Sequence, residues 1–172
     1  MATKTTWIID KAHSQISFKV KHMMISTVTG QFEDFNATAE TSNEDFINAD
    51  FNFTAKTNSI NTKNADRDGH LKSDDFFNAD KYPEIVFKST SFDGKMLVGN
   101  LTIRDVTKEI KMNVDFNGIV VDPYGQTKAG FEASGTINRK DFNLTWGAVT
   151  EAGNIVVSDA VKLIADLEFN KG

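Results

Sequence analysis

The chain of 172 residues contains no cysteine. That excludes disulfide frameworks, zinc–thiolate sites and thiol nucleophiles. Proline is nearly absent, with only Pro83 and Pro123, and tryptophan and tyrosine occur twice each. Positive charge is not in excess. Nineteen Lys and Arg are interleaved with 24 Asp and Glu, for a net charge of −5. This balance offers no basic footprint for nucleic acid and no polybasic membrane segment. No apolar run approaches the ~18 residues of a membrane helix. The N-terminal stretch MATKTTWIIDKAHS has no apolar core of the secretory-signal kind. Read as a complete product, the chain is expected in the cytoplasm; an exported precursor already trimmed would look the same. P-loop, dinucleotide and G-x-S-x-G patterns are all missing.

Phenylalanine is plentiful, at 14 residues. Its side chain adds a large apolar body with no polar atom to satisfy. Two readings follow, a Phe-rich core or the lining around an apolar ligand. The surrounding pattern is period-two alternation. In QISFKVKH, Ile16, Phe18 and Val20 share one face. In ADFNFTAK, Phe51 and Phe53 do so. In EIKMNVDFNG, Ile110, Met112, Val114 and Phe116 oppose Lys111, Asn113, Asp115 and Asn117. In VKLIADLEF, Val161, Leu163, Ala165, Leu167 and Phe169 align, with Ile164 out of phase. Each segment reads as a half-buried strand in an antiparallel sheet.

Weaker strands are expected near Val28–Thr41, Glu84–Ser89, Lys95–Ile103, Lys128–Ile137 and Ile155–Ser158. A parity change between Phe32 and Phe35 indicates a bulge or bend. Turn signals fall at Asp93-Gly94, Asp122-Pro123-Tyr124-Gly125 and Glu151-Ala152-Gly153-Asn154. The expected architecture is one all-β domain over residues 1–172, about eight strands forming a sandwich or a closed barrel.

Residues 61–82 interrupt this pattern. The segment is too polar for a strand and longer than an ordinary unstructured loop. A short helix is expected over Lys63–Leu71, with Ser73 capping a further turn. Within it, NADRDGHLKSDD places Asn64, Asp66 and Asp68 at the first, third and fifth positions of a calcium-loop pattern, Gly69 sixth and Asp75 last. The first Asp and the final Glu of that pattern are replaced, and no flanking amphipathic helices are signalled, so a calcium site is not expected. Arg67 is expected to pair with nearby carboxylates. His13, His22 and His70 could jointly hold a metal of the catalytic zinc kind, but their spacing follows no ligand motif.

The order D-x-x-HS at Asp10–Ser14, KH at Lys21–His22, G-x-F at Gly30–Phe32, S-I-x-T at Ser59–Thr62 and RDGHL is distinctive. YPEIVF at Tyr82–Phe87, GNLTIRDVTK at Gly99–Lys108 and INRKDF at Ile137–Phe142 follow. Together they resemble the YceI-like family of bacterial polyisoprenoid-binding proteins, from about Trp7 to the C-terminus. The resemblance implies a lipocalin-like, extended antiparallel β-barrel with a helical excursion near residues 62–78. It also implies a homodimer and a polyisoprenoid or other long-chain lipid inside, with no cofactor, metal or reaction. Asp105, Asn143 and Met24 depart from the family pattern, where smaller residues are usual. Combined with the parity analysis, the expected cavity lining is Phe18, Val20, Phe51, Phe53, Ile110, Met112, Val114, Phe116, Leu163 and Leu167. His22, Arg67 and His70 are expected at a rim, facing a lipid head group. The competing expectations are a metal-dependent enzyme built on the three histidines and an interaction module with a solid core.

Overall fold

The computed structural model describes residues 3–147 and 157–172. Eleven strands run in chain order: β1 (Thr5–Ile9), β2 (Gln15–His22), β3 (Ser26–Phe32), β4 (Phe35–Thr41), β5 (Asp50–Lys56), β6 (Ile60–Asn61), β7 (Glu84–Phe92), β8 (Met96–Ile103), β9 (Val106–Val121), β10 (Thr127–Asn138) and β11 (Val157–Lys171). All pairings are antiparallel, and β1–β11 pairing closes the sheet into a barrel. Of the expected strand at 155–158, Val157 and Ser158 open β11; Ile155 and Val156, and the expected turn at 151–154, lie outside the described residues.

Three of the eight ribbons around this barrel are kinked. β1 and β2 pair successively with β11, so together they form one ribbon. β3 and β4 form the next, and β5 and β6 the third. The parity change between Phe32 and Phe35 is therefore a bend, at Glu33–Asp34. The three breaks share one level. Lys56 N donates to the Asp34 carbonyl, and Glu33 N to the Ser59 carbonyl. On the other side, Asp10 N donates to the Glu168 carbonyl, and Glu168 N to Ser14 Oγ. Backbone bonds across the break, with one accepted by the Ser14 hydroxyl, thus replace the ladder bonds that the kinks remove.

An ion cluster fastens the first break. Lys128 Nζ lies 2.7 Å from Asp10, 3.2 Å from Glu168 and 2.9 Å from the Asn170 amide oxygen. Asp10 also caps a short 3-10 turn over Lys11–His13, accepting from Ala12 N. The Lys128 hydrogen bond holds the Asp10 carboxyl well below its ordinary value of 3.8, with His13 adding to the effect. A carboxylate with a depressed folded pKa stabilises above its unfolded pKa and loses that contribution as pH falls. Asp10→Asn is accordingly less stable than wild type at neutral pH. The gap is expected to hold down to about pH 5 and to close progressively as pH falls below the ordinary carboxylate pKa. Paired urea titrations across that range check this; a gap that does not depend on pH would refute it.

One end of the barrel is a solid base. Phe46, Phe92 and Phe169 are almost wholly buried there. Phe46 meets Trp7 (5.2 Å between centroids), Phe116 (5.3 Å) and Phe131 (5.0 Å), and Phe116 stacks on Phe131 at 4.9 Å. Below Asn113, β9 loses β8 as a partner apart from one bond, from Val114 N to the Lys95 carbonyl. The seam is filled by the loop carrying Phe46 rather than by a backbone ladder.

The helical excursion spans the opposite end. α1 covers Ala65–Lys72, starting slightly later than expected because Asn64 is its cap, with Oδ1 accepting from Arg67 N. Ser73 ends α1, its hydroxyl donating to the His70 carbonyl, and it also caps the turn that follows, as expected, with Oγ accepting from Asp75 N and its carbonyl from Phe76 N. The calcium-like stretch is spent on this helix. Asp68 Oδ1 accepts from Thr62 N and Oγ1, and Asp75 meets His70. Among the described residues, Arg67 has no carboxylate partner. Its Nε and Nη2 donate to the Thr62 hydroxyl and carbonyl.

Candidate functional site

The inward faces do not pack solid above the Phe base. A cavity of about 220 Å³ remains, almost wholly hydrocarbon-lined. Phe18, Val20, Phe51, Phe53, Ile110, Met112, Leu163 and Leu167 stand on its wall. Val114 and Phe116 do not. They share the parity of Ile110 and Met112 but sit lower on β9, where Phe116 belongs to the aromatic base. Alternation fixes the face of a strand and not the height along it. The wall also includes Leu71, Phe76 and Phe77 from the excursion. Phe77 packs edge-on against Phe32, which touches Phe18.

Two glycines make the open space possible. Gly30 faces Phe18 across the β2–β3 pair. A Cβ on Gly30 would lie 2.2 Å from the Phe18 ring, and one on Gly99 would lie 2.4 Å from that of Phe87. Each ring lies flat across its neighbouring strand because no side chain stands there. The rings therefore hug the wall and leave the axis open.

Arg139 is a charged residue on this wall that parity reasoning missed. It is 3% exposed. Its Nη1 donates to the carbonyls of Leu144 and Trp146 (both 2.6 Å), Nε to that of Ser158 (3.0 Å) and Nη2 to that of Val157 (3.4 Å). Asp159 Oδ1 lies 3.7 Å away. Burial pushes the Arg139 pKa down, partly opposed by Asp159. The guanidinium ties the segment after β10 to the start of β11. Its donors are consumed by the frame, which leaves the cavity surface apolar.

The three rim candidates are distributed differently. His70 lies behind the wall residue Phe76, its ring edge-on to Trp146 (4.8 Å) and Phe76 (5.2 Å), with Nε2 2.8 Å from Asp75. His22 ends β2, in register with Ser26 and Val157. Arg67 is turned toward Thr62. The histidines do not converge on one site. Among the described residues, the only group with metal-ligand spacing is Asp10, His13 and Glu168, and the Lys128 ammonium already lies between its carboxylates. The arrangement suits binding rather than catalysis: a hydrocarbon wall with its one guanidinium committed to carbonyls.

A YceI-like domain model matches residues 7–169. The chain belongs to the YceI-like family. A UPF0312 protein of Staphylococcus aureus (strain N315) is 38% identical over 167 residues, covering 96% of this chain and 98% of the relative. The solved YCEI protein of Campylobacter jejuni is 34% identical with a TM-score of 0.74, covering 95% of this chain and 96% of that one. A polyisoprenoid binding domain from Saccharophagus degradans, 15% identical with a TM-score of 0.71 over 97% and 98% of the two chains, shares the fold. Two departures from the YceI-like pattern fall on left-handed backbone: Met24 at φ 59° and Asn143 at φ 61°. Asn tolerates that conformation well, whereas a bulky side chain rarely adopts it.

Proposed function

We propose that this YceI-like barrel encloses the hydrocarbon tail of an isoprenoid or similar long-chain lipid and acts by storing or carrying it. The observation that carries this reading is the apolar cavity held open between a sealed aromatic base and a mouth bordered by the excursion. A chain of several prenyl units exposes several hundred Å² of hydrocarbon. Enclosing it favours binding by on the order of 10 kcal/mol before ordering costs, at ~25 cal/mol/Å². The cavity is slightly smaller than the ~300–1,000 Å³ of typical ligand pockets. A long tail gains room by rotating Met112, the flexible thioether side chain on the wall.

Organic extraction of native protein with mass spectrometry, together with titration of a fluorescent polyene, tests the reading. Ala165→Phe places a ring in the cavity between Ile16 and Ala133. It is expected to weaken polyene binding at least about tenfold, equivalent to ~1.4 kcal/mol, with little change in thermal midpoint. Absence of extractable lipid together with unchanged polyene affinity in Ala165→Phe would sink it. His22, Arg67 and His70 remain the proposed head-group contacts, and His70 has the most support because it packs against the wall residue Phe76. His70→Ala in the same titration should change selectivity among head groups more than affinity for the tail.

The proposed assembly is a homodimer through β9. Among the described residues, 115–121 form an edge with no strand partner on one side, and Val120 and Val121 are exposed there. Unpaired edges of this kind invite a second strand. Sedimentation velocity across a concentration series checks it; a single-chain mass throughout would refute it.

A further inference from the structure

The second exposed apolar group among the described residues lies at the other end. The turn joining β2 to β3 is Met23-Met24-Ile25, with Met24 59% and Ile25 80% exposed. Met23 and Met24 both hold positive φ, at 50° and 59°. Bulky residues adopt this backbone at a cost, and such strain concentrates at working sites. The turn continues directly from the cavity wall: Val20 lines the cavity, and so does Val157, which is in register with His22. Folding also assembles a basic face that no linear run revealed. Lys19 stands opposite Lys162 across the β2–β11 pair, and Lys21 follows on the same face of β2. Like charges directly opposed in a sheet destabilise it. Among the described residues, neither Lys19 nor Lys162 has a carboxylate partner. Asp159, on the same strand as Lys162, is already held by Lys140 at 3.3 Å.

We infer that the Met23–Ile25 turn, backed by Lys19, Lys21 and Lys162, is a docking site for an anionic bilayer surface. Exposed thioether and alkyl groups ahead of a row of ammonium groups form the chemistry of an interfacial anchor. The net charge of −5 does not oppose this, because charges more than ~10 Å away are largely screened at 0.1 M salt. Docked in this way, the mouth faces hydrocarbon, and an apolar tail moves between bilayer and cavity without crossing water. That transfer step rests on the cavity reading; the docking step does not.

The test is flotation with phosphatidylcholine vesicles, with and without phosphatidylglycerol, for wild type, Met24→Ser/Ile25→Ser and Lys19→Gln/Lys162→Gln. Wild type should bind the anionic vesicles. The lysine variant should lose about fivefold per charge, and the turn variant tenfold or more. A polyene added in solution should bind all three proteins equally, because none of the altered side chains faces the cavity. Wild type that ignores anionic vesicles, or variants that bind them as well as wild type does, overturns the inference. A concentration-dependent dimer abolished by the turn variant, without vesicle binding, overturns it in favour of a second copy of this chain. Loss of polyene binding in every protein, with vesicle docking intact, instead counts against the cavity reading.

Discussion

Replacing Arg139 with Ala is expected to lower the unfolding free energy by about 3–5 kcal/mol, the scale of leaving several buried carbonyls without a donor. The cause is the set of groups left behind. The carbonyls of Leu144, Trp146 and Ser158 all lose their donor at once. Each unmade buried hydrogen bond costs about 1–3 kcal/mol, less where water can reach it. Arg139→Lys should recover less than half, because a single ammonium cannot reproduce the planar fork that spans two chain segments. Leu144 and Val157, which line the cavity beside those carbonyls, lose their anchorage. Polyene affinity should therefore fall along with stability. Urea unfolding followed by far-ultraviolet circular dichroism gives the energy. A loss below about 1 kcal/mol would mean that solvent serves these carbonyls, and the guanidinium would not be the clasp described.

Phe46→Ala is expected to cost a further large amount, about 3–5 kcal/mol, as for other buried aromatic truncations. Phe46 is 0% exposed and touches Trp7, Phe51, Phe116 and Phe131. It holds φ 61° in a loop tied down by Asn48 N to the Phe92 carbonyl and by Ala49 N to its own carbonyl. Ala keeps that strained backbone and loses the ring that compensates for it. The void beneath Phe51 adjoins the cavity, since Phe51 and Phe169 line the cavity floor. Longer tails should consequently gain affinity relative to shorter ones in the variant. Denaturation with and without a homologous series of alkyl ligands measures both effects. An unchanged chain-length preference would show that the base collapses onto the vacated space.

Much of this was readable from residue order alone. The EIKMNVDFNG alternation marks β9, and the resemblance carried by RDGHL, YPEIVF and INRKDF points to the barrel and its excursion. What failed has physical causes. Val114 and Phe116 were misplaced because parity is blind to height. The kinks left only the Phe32–Phe35 parity change as a trace, since pairing partners decide where a ribbon bends. Arg67 was assigned to carboxylates because charge alone does not reveal a nearer hydroxyl and carbonyl. Arg139 was passed over because an arginine between Asn138 and Lys140 reads as solvated loop. A donor surrounded by carbonyls becomes visible only once β10, residues 139–147 and the start of β11 are in place.

The aligned interruptions at Asp10–Ser14, Glu33–Asp34 and Thr57–Ser59 divide the molecule into two storeys on one flank. On the other flank β9, β10 and β11, with 16, 12 and 15 residues, run past that level as an unbroken spine. The wall residues Ile16, Phe18, Val20 and Phe32 stand in the upper storey, while the aromatic floor closes the lower one. Capacity and durability are assigned to different halves of the same vessel.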